Sequence, residues 1–144
     1  MIIKTYPIGI YDENIYVLID EKSKDACIVD PGGNGDLLIK NIEDLECNIK
    51  YILLTHGHFD HVEALSEVVE RFKAPIYMNE NEVNFMKTDK TVFGNIPKEY
   101  NLVKDGDTLP FGDDIIRCIH TPGHTKGGMC YLYKDAIFTG DTLF

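Results

Sequence analysis

The chain is short of basic residues, and it lacks every sequence signal of a membrane-bound or disulfide-built protein. Lys and Arg together number 14 against 24 Asp and Glu, a formal net charge of -10. A phosphate backbone would be repelled unless cations gathered in one patch, and the lysines are scattered singly, so nucleic acid is not an expected partner. No apolar run approaches the length of a membrane span, and the amino terminus, M-I-I-K-T-Y-P, has no basic segment followed by an apolar core. The expectation is a cytoplasmic protein without membrane contact. Four cysteines, Cys27, Cys47, Cys118 and Cys130, are far apart and form no C-x-x-C pair. Cys27, Cys118 and Cys130 fall inside apolar runs and read as buried reduced thiols rather than as metal ligands.

What is present is one domain's worth of chain, 144 residues, enough for a single core. Short β-rich runs, Ile2 to Ile8, Ile15 to Ile19 and Ala26 to Val29, suggest a three-stranded meander closed by V-D-P-G-G, where Pro31 ends the ladder. A helix is expected next, with Asp36 as N-cap and Leu37, Leu38, Ile42 and Leu45 as its apolar stripe. Ile49 to Leu54 reads as a strand and Val62 to Phe72 as a helix. A brief strand from Pro75 to Met78 and a short helix or turn from Glu80 to Lys87 follow, with Thr88 to Tyr100 as loop. Five further strands are expected: Asn101 to Val103, Thr108 to Phe111, Ile115 to Ile119, Met129 to Tyr133 and Ala136 to Thr139. No internal repeat or low-complexity tract breaks this order.

Between the strand at Ile49 to Leu54 and the next helix stands T-H-G-H-F-D-H, which holds three of the five histidines and one aspartate. Imidazole nitrogens and carboxylates are the ligands of zinc, iron and manganese, and such a cluster would be costly to leave unpaired in a folded interior. Two more candidates follow in glycine-flanked stretches, His124 in T-P-G-H-T and Asp141 in G-D-T-L-F. His120 reads as a satisfied polar residue rather than a ligand.

T-H-G-H-F-D-H, T-P-G-H-T and G-D-T-L-F, in that order and preceded by V-D-P-G-G, resemble the metallo-beta-lactamase superfamily. Within it they are most similar to the glyoxalase II-like thioester hydrolases. The resemblance implies an α/β fold, the four-layer αββα sandwich, as a single domain over residues 1–144. It further implies that His56, His58 and His124 hold one metal, that Asp60 and His61 hold a second, and that Asp141 bridges them. Two divalent ions follow, zinc first, with iron or manganese as alternatives. The implied chemistry is attack of a metal-bound hydroxide on a thioester or related ester of a small molecule, as in hydroxyacylglutathione hydrolase, with Asp60 orienting the hydroxide and accepting its proton. Asp30 is expected to buttress a ligand loop.

The resemblance also separates relatives. Flavodiiron oxidases place a carboxylate where His58 stands, and true β-lactamases often carry a cysteine where Asp141 stands. Persulfide dioxygenases, with one iron on the equivalents of His56, His124 and Asp141, remain an alternative, as does a non-catalytic metal-binding domain. The family pattern continues past G-D-T-L-F and there supplies another histidine to the second metal, whereas here Phe144 is last. The expectation is a domain lacking its C-terminal elements, with an incomplete second sheet open to self-association, a weakened second metal site, and weak or no activity.

Overall fold

The structure, a computed structural model, describes residues 2–7, 14–32, 35–55, 64–88, 100–121, 129–134 and 136–138. The alternating apolar runs form strands β1 (Ile2–Pro7), β2 (Asn14–Ile19) and β3 (Asp25–Val29), an antiparallel meander. Helix α1 (Gly35–Glu43) leads to β4 (Asn48–Leu53), which lies parallel to β3. Helix α2 (Leu65–Phe72), β5 (Ile76–Met78), helix α3 (Glu80–Thr88) and the two-residue β6 (Asn101–Leu102) complete a six-stranded sheet in the order β1-β2-β3-β4-β5-β6. Strands β7 (Thr108–Phe111), β8 (Asp114–His120), β9 (Met129–Tyr133) and β10 (Ala136–Phe138) form a second, four-stranded antiparallel sheet.

Side chains alternate across the first sheet with the period of two that a strand imposes. Ile15, Val17, Ala26, Ile28, Ile52 and Ile76 point to one face, where Leu38 and Ile42 of α1 and Leu65 and Val68 of α2 cover them. Leu18, Cys27, Val29 and Leu53 point to the other face and meet Phe111, Ile116, Cys118, Met129, Tyr131, Tyr133 and Phe138 of the second sheet. Being buried on both faces is why β3 from Ala26, and β4 only in its last residues, Ile52 and Leu53, read as apolar runs. The result is the two-sheet, helix-flanked sandwich that the resemblance implied, and the described residues supply three of its layers. Among those residues β10 is the edge of the second sheet, with Ile137 exposed.

Several boundaries differ from expectation for local reasons. Asp36 lies inside the first turn of α1 rather than at its N-cap, where its charge favours the positive end of the helix dipole. Gly35 is the first described residue of that helix, and a Cβ there would meet the side chain of Glu67 on α2. The short helix after β5 does form, because the Asn79 side-chain oxygen accepts from the amide of Asn81 at 3.0 Å, as an N-cap does. The Asn79 amide group meanwhile donates to the Val103 carbonyl at 3.0 Å. Helix α2 is described from Leu65, and Val62 lies outside the described residues.

Candidate active site

The strand registers bring the chemistry-bearing segments to one end of the sandwich. Parallel pairing of β3 with β4, Val29 opposite Leu53, sends Asp30 and Thr55 out at the same edge. In the second sheet His120 lies opposite Met129, and Phe138 opposite Tyr131. The end of β8, the start of β9 and the end of β10 therefore share one edge. The two edges are joined directly, since the amide of Met129 donates to the Thr55 carbonyl at 2.7 Å. T-H-G-H-F-D-H begins with Thr55, T-P-G-H-T begins with Thr121, and G-D-T-L-F follows Phe138 by one residue. The roots of all three motifs thus meet at one place.

Thr55 is held in this frame by its amide, hydroxyl and carbonyl. The buried carboxylate of Asp30 accepts its amide at 2.7 Å through Oδ1 and its hydroxyl through Oδ2. Asp30 itself adopts a left-handed backbone, φ 52°, a conformation that aspartate tolerates better than most residues because its short polar side chain can bond locally. Its amide donates to Leu53 at 3.0 Å, and its carbonyl accepts from Gly32 at 2.8 Å. Pro31 holds the other end of the same stretch, its carbonyl accepting the amide of Ala64 at 2.9 Å. Asp30 and Pro31 in this way fix Thr55 and the start of α2, while the ligand loop that Asp30 was expected to buttress lies outside the described residues.

The second motif's root is fixed similarly. Asp105, in the turn before β7, accepts the backbone amide of His120 at 2.9 Å, and the Thr121 hydroxyl lies 3.3 Å from the Cys130 sulfur. Through its backbone His120 belongs to this hydrogen-bonded frame. Across the sheets, the Tyr131 hydroxyl donates to the Leu54 carbonyl at 2.6 Å, with the Tyr77 carbonyl at 3.4 Å. Burial raises the Tyr131 phenol well above its usual range, so it stays protonated and remains a donor. Sequence reasoning passed over Thr55 as an anchored residue, Asp105 and Tyr131. A signal for Tyr131 existed: an inward position of an alternating strand held tyrosine rather than phenylalanine, and a buried phenol needs a partner.

The six candidate site residues, His56, His58, Asp60, His61, His124 and Asp141, lie outside the described residues. The expectation of two divalent ions, zinc first, with a weakened second site, is corrected: among the described residues no group of three or more His, Cys, Asp or Glu could hold a metal ion. The donors there do not gather around a common point, and the carboxylates among them make separate hydrogen bonds. Asp30 is engaged by Thr55, Asp20 by Ser23, Asp105 by His120 and Asp107 by the amide of Lys104. Cys27, Cys118 and Cys130 are buried free thiols, as expected, and burial pushes Cys27 and Cys118 up to about 12, which keeps them protonated. Among the described residues no helix is long and apolar enough to cross a membrane.

Helices against one face of a mostly parallel sheet, a second antiparallel sheet against the other, and motif roots gathered at one end define a helix-flanked β-sandwich with its chemistry at the strand ends. The chain belongs to the metallo-beta-lactamase superfamily, whose sequence profile matches residues 8–144. It is 38% identical over 144 residues to the probable polyketide biosynthesis zinc-dependent hydrolase BaeB of Bacillus velezensis, covering 99% of this chain and 60% of that protein. It is 35% identical over 131 residues to the probable polyketide biosynthesis zinc-dependent hydrolase PksB of Bacillus subtilis, covering 90% of this chain and 54% of that one. The chain therefore spans little more than half the length of these relatives. The crystal structure of the B3 metallo-beta-lactamase BLEG-1 superposes with a TM-score of 0.86 at 30% identity, covering 99% of this chain and 73% of that one.

Proposed function

We propose that this chain is the part of a hydrolase that cleaves a thioester or related ester of a small molecule, in the manner of hydroxyacylglutathione hydrolase. The observation that carries the reading is the gathering of the three motif roots at one end of the sandwich, with Thr55 held by Asp30 and Met129. Membership in the superfamily and the hydrolase names of the two Bacillus relatives support the hydrolytic half of the proposal. The thioester half rests on the likeness of the three motifs to the glyoxalase II-like group. The four free thiols fit a reducing compartment and support a cytoplasmic location.

In the proposed reaction water attacks the thioester carbonyl, Asp60 takes the proton released from that water, the tetrahedral intermediate collapses, and the thiol leaves with a proton. His56, His58, His61, His124 and Asp141 are the proposed polar groups around the reacting carbonyl. Hydrolysis is read by release of free thiol from acyl-glutathione and related thioesters. The expected result is release above the uncatalysed rate that falls roughly 10²–10⁴-fold in Asp60→Asn, with a comparable loss in His58→Ala. An Asp60→Asn variant that keeps the parent rate, or a parent chain that releases no thiol, overturns the proposal.

A further inference from the structure

We propose that Tyr131 is a positioning residue of this site: its hydroxyl, reaching from the second sheet to the Leu54 carbonyl of the first, sets the place of Thr55 and hence of the first motif. The inference rests on the hydrolase reading above and deepens it, since neither the family match nor the motifs assign any role to this tyrosine.

Tyr131 is fully buried between the sheets. A hydroxyl in an apolar core is unfavourable unless bonded, and phenylalanine would fill the same volume without that demand. The hydroxyl is therefore informative by where it points. It donates at 2.6 Å to Leu54, the residue just before Thr55. Thr55 in turn receives its other restraints from Asp30 and from Met129, two residues before Tyr131 on β9. The two sheets are thus bonded twice over the consecutive carbonyls of Leu54 and Thr55, by the side chain of Tyr131 and by the backbone of Met129. Two points of attachment fix direction as well as distance, which one alone cannot do.

The fold contains its own control. Tyr51 makes the reciprocal bridge, from β4 of the first sheet to the Pro110 carbonyl of β7 at 2.6 Å. Both tyrosines tie sheet to sheet by one hydroxyl on one carbonyl, but Tyr51 attaches to a strand that carries no motif root. Tyr131 is fully buried and Tyr51 half-buried, so a structural role predicts unequal losses of stability and no change of kcat in either; a positioning role predicts a loss of kcat in Tyr131→Phe alone.

The experiment compares Tyr131→Phe with Tyr51→Phe in the full chain, by thiol-release kinetics, thermal melting and amide hydrogen exchange. Tyr131→Phe is expected to lower kcat roughly ten- to a hundred-fold at unchanged KM and to speed exchange at the amides of Thr55 and Met129. Tyr51→Phe, whose bond is exposed, is expected to lower the melting temperature less and to leave kcat and both amides unchanged. Equal kcat in the two variants, or unchanged exchange at Thr55 and Met129 in Tyr131→Phe, overturns the inference. If the parent chain releases no thiol, the hydrolase reading fails by itself, and exchange still decides whether Tyr131 holds Thr55.

Discussion

The two ends of the sandwich each carry a buried aspartate that holds the amide and the hydroxyl of one hydroxyl-bearing residue, and they use this device differently. At the site end Asp30 takes the amide and hydroxyl of Thr55, 25 residues away and just past the end of the neighbouring strand β4. At the opposite end Asp20 takes the amide of Ser23 at 3.0 Å and its hydroxyl at 2.7 Å, three residues along the β2–β3 turn. The local version shapes a turn whose ends would meet in any case, since Asp20 and Asp25 already bond through their backbones. The non-local version joins two strands at the point where a motif leaves the sheet. The same chemistry therefore makes a turn at one end and a frame for function at the other, and sequence separation is what distinguishes the two roles.

Removing Asp30 puts the largest strain on this comparison. Asp30→Ala withdraws the acceptor from two buried donors of Thr55, each worth roughly 1–3 kcal/mol when left without one, so a loss of about 2–6 kcal/mol is expected in urea unfolding. Hydrolysis per folded molecule should fall with it, because Thr55 immediately precedes His56. Asp30→Asn keeps an oxygen for one of the two bonds and tolerates the left-handed backbone, so it should lie between. Full activity in folded Asp30→Ala would end the distinction between the two ends.

Gly112 tests the opposite end at smaller magnitude. It turns the chain between β7 and β8 at φ +59°, and a Cβ there would lie 2.7 Å from the carboxyl carbon of Asp20. Gly112→Ala should cost about 1–2 kcal/mol from the left-handed conformation, with some addition from displacing a carboxylate that Ser23 pins. Thiol release per folded molecule should be unchanged, since no motif root is near. A loss of activity equal to that of Asp30→Ala would show that the two ends are coupled.

Much of this arrangement was legible in the chain. Short β-rich runs between turn residues marked the strands, the apolar stripe of Leu65, Val68 and Phe72 marked α2, and V-D-P-G-G singled out Asp30 before its partner was known. Partners at long range were not legible, because periodicity reports which face a residue occupies and not what lies opposite. Nothing in the sequence pairs Asp30 with Thr55, Tyr131 with Leu54, or Gly112 with Asp20. Of the site, the residue types and their order could be read, while the frame that gathers the motif roots depends on strand register.

The smallest effect belongs to the charge on Asp20. Hydrogen bonds from the Ser23 hydroxyl and amide, aided by the positive charge of Lys134, hold its carboxyl below the usual carboxylate range. A group whose pKa is lower folded than unfolded stabilises the fold fully above its unfolded value, about 3.9 for aspartate, and loses that contribution as pH falls through the folded value. Parent and Asp20→Asn should therefore differ most in urea midpoint at neutral pH, and the gap should narrow below about pH 4. The carboxylate is at the far end from the motif roots, so the pH dependence of thiol release should be the same in both chains. A gap in urea midpoint that stays constant from neutral pH to pH 3 would mean that Asp20 acts through shape alone. A shifted activity profile would place its charge in communication with the site, and the division of labour between the two aspartates would have to be abandoned.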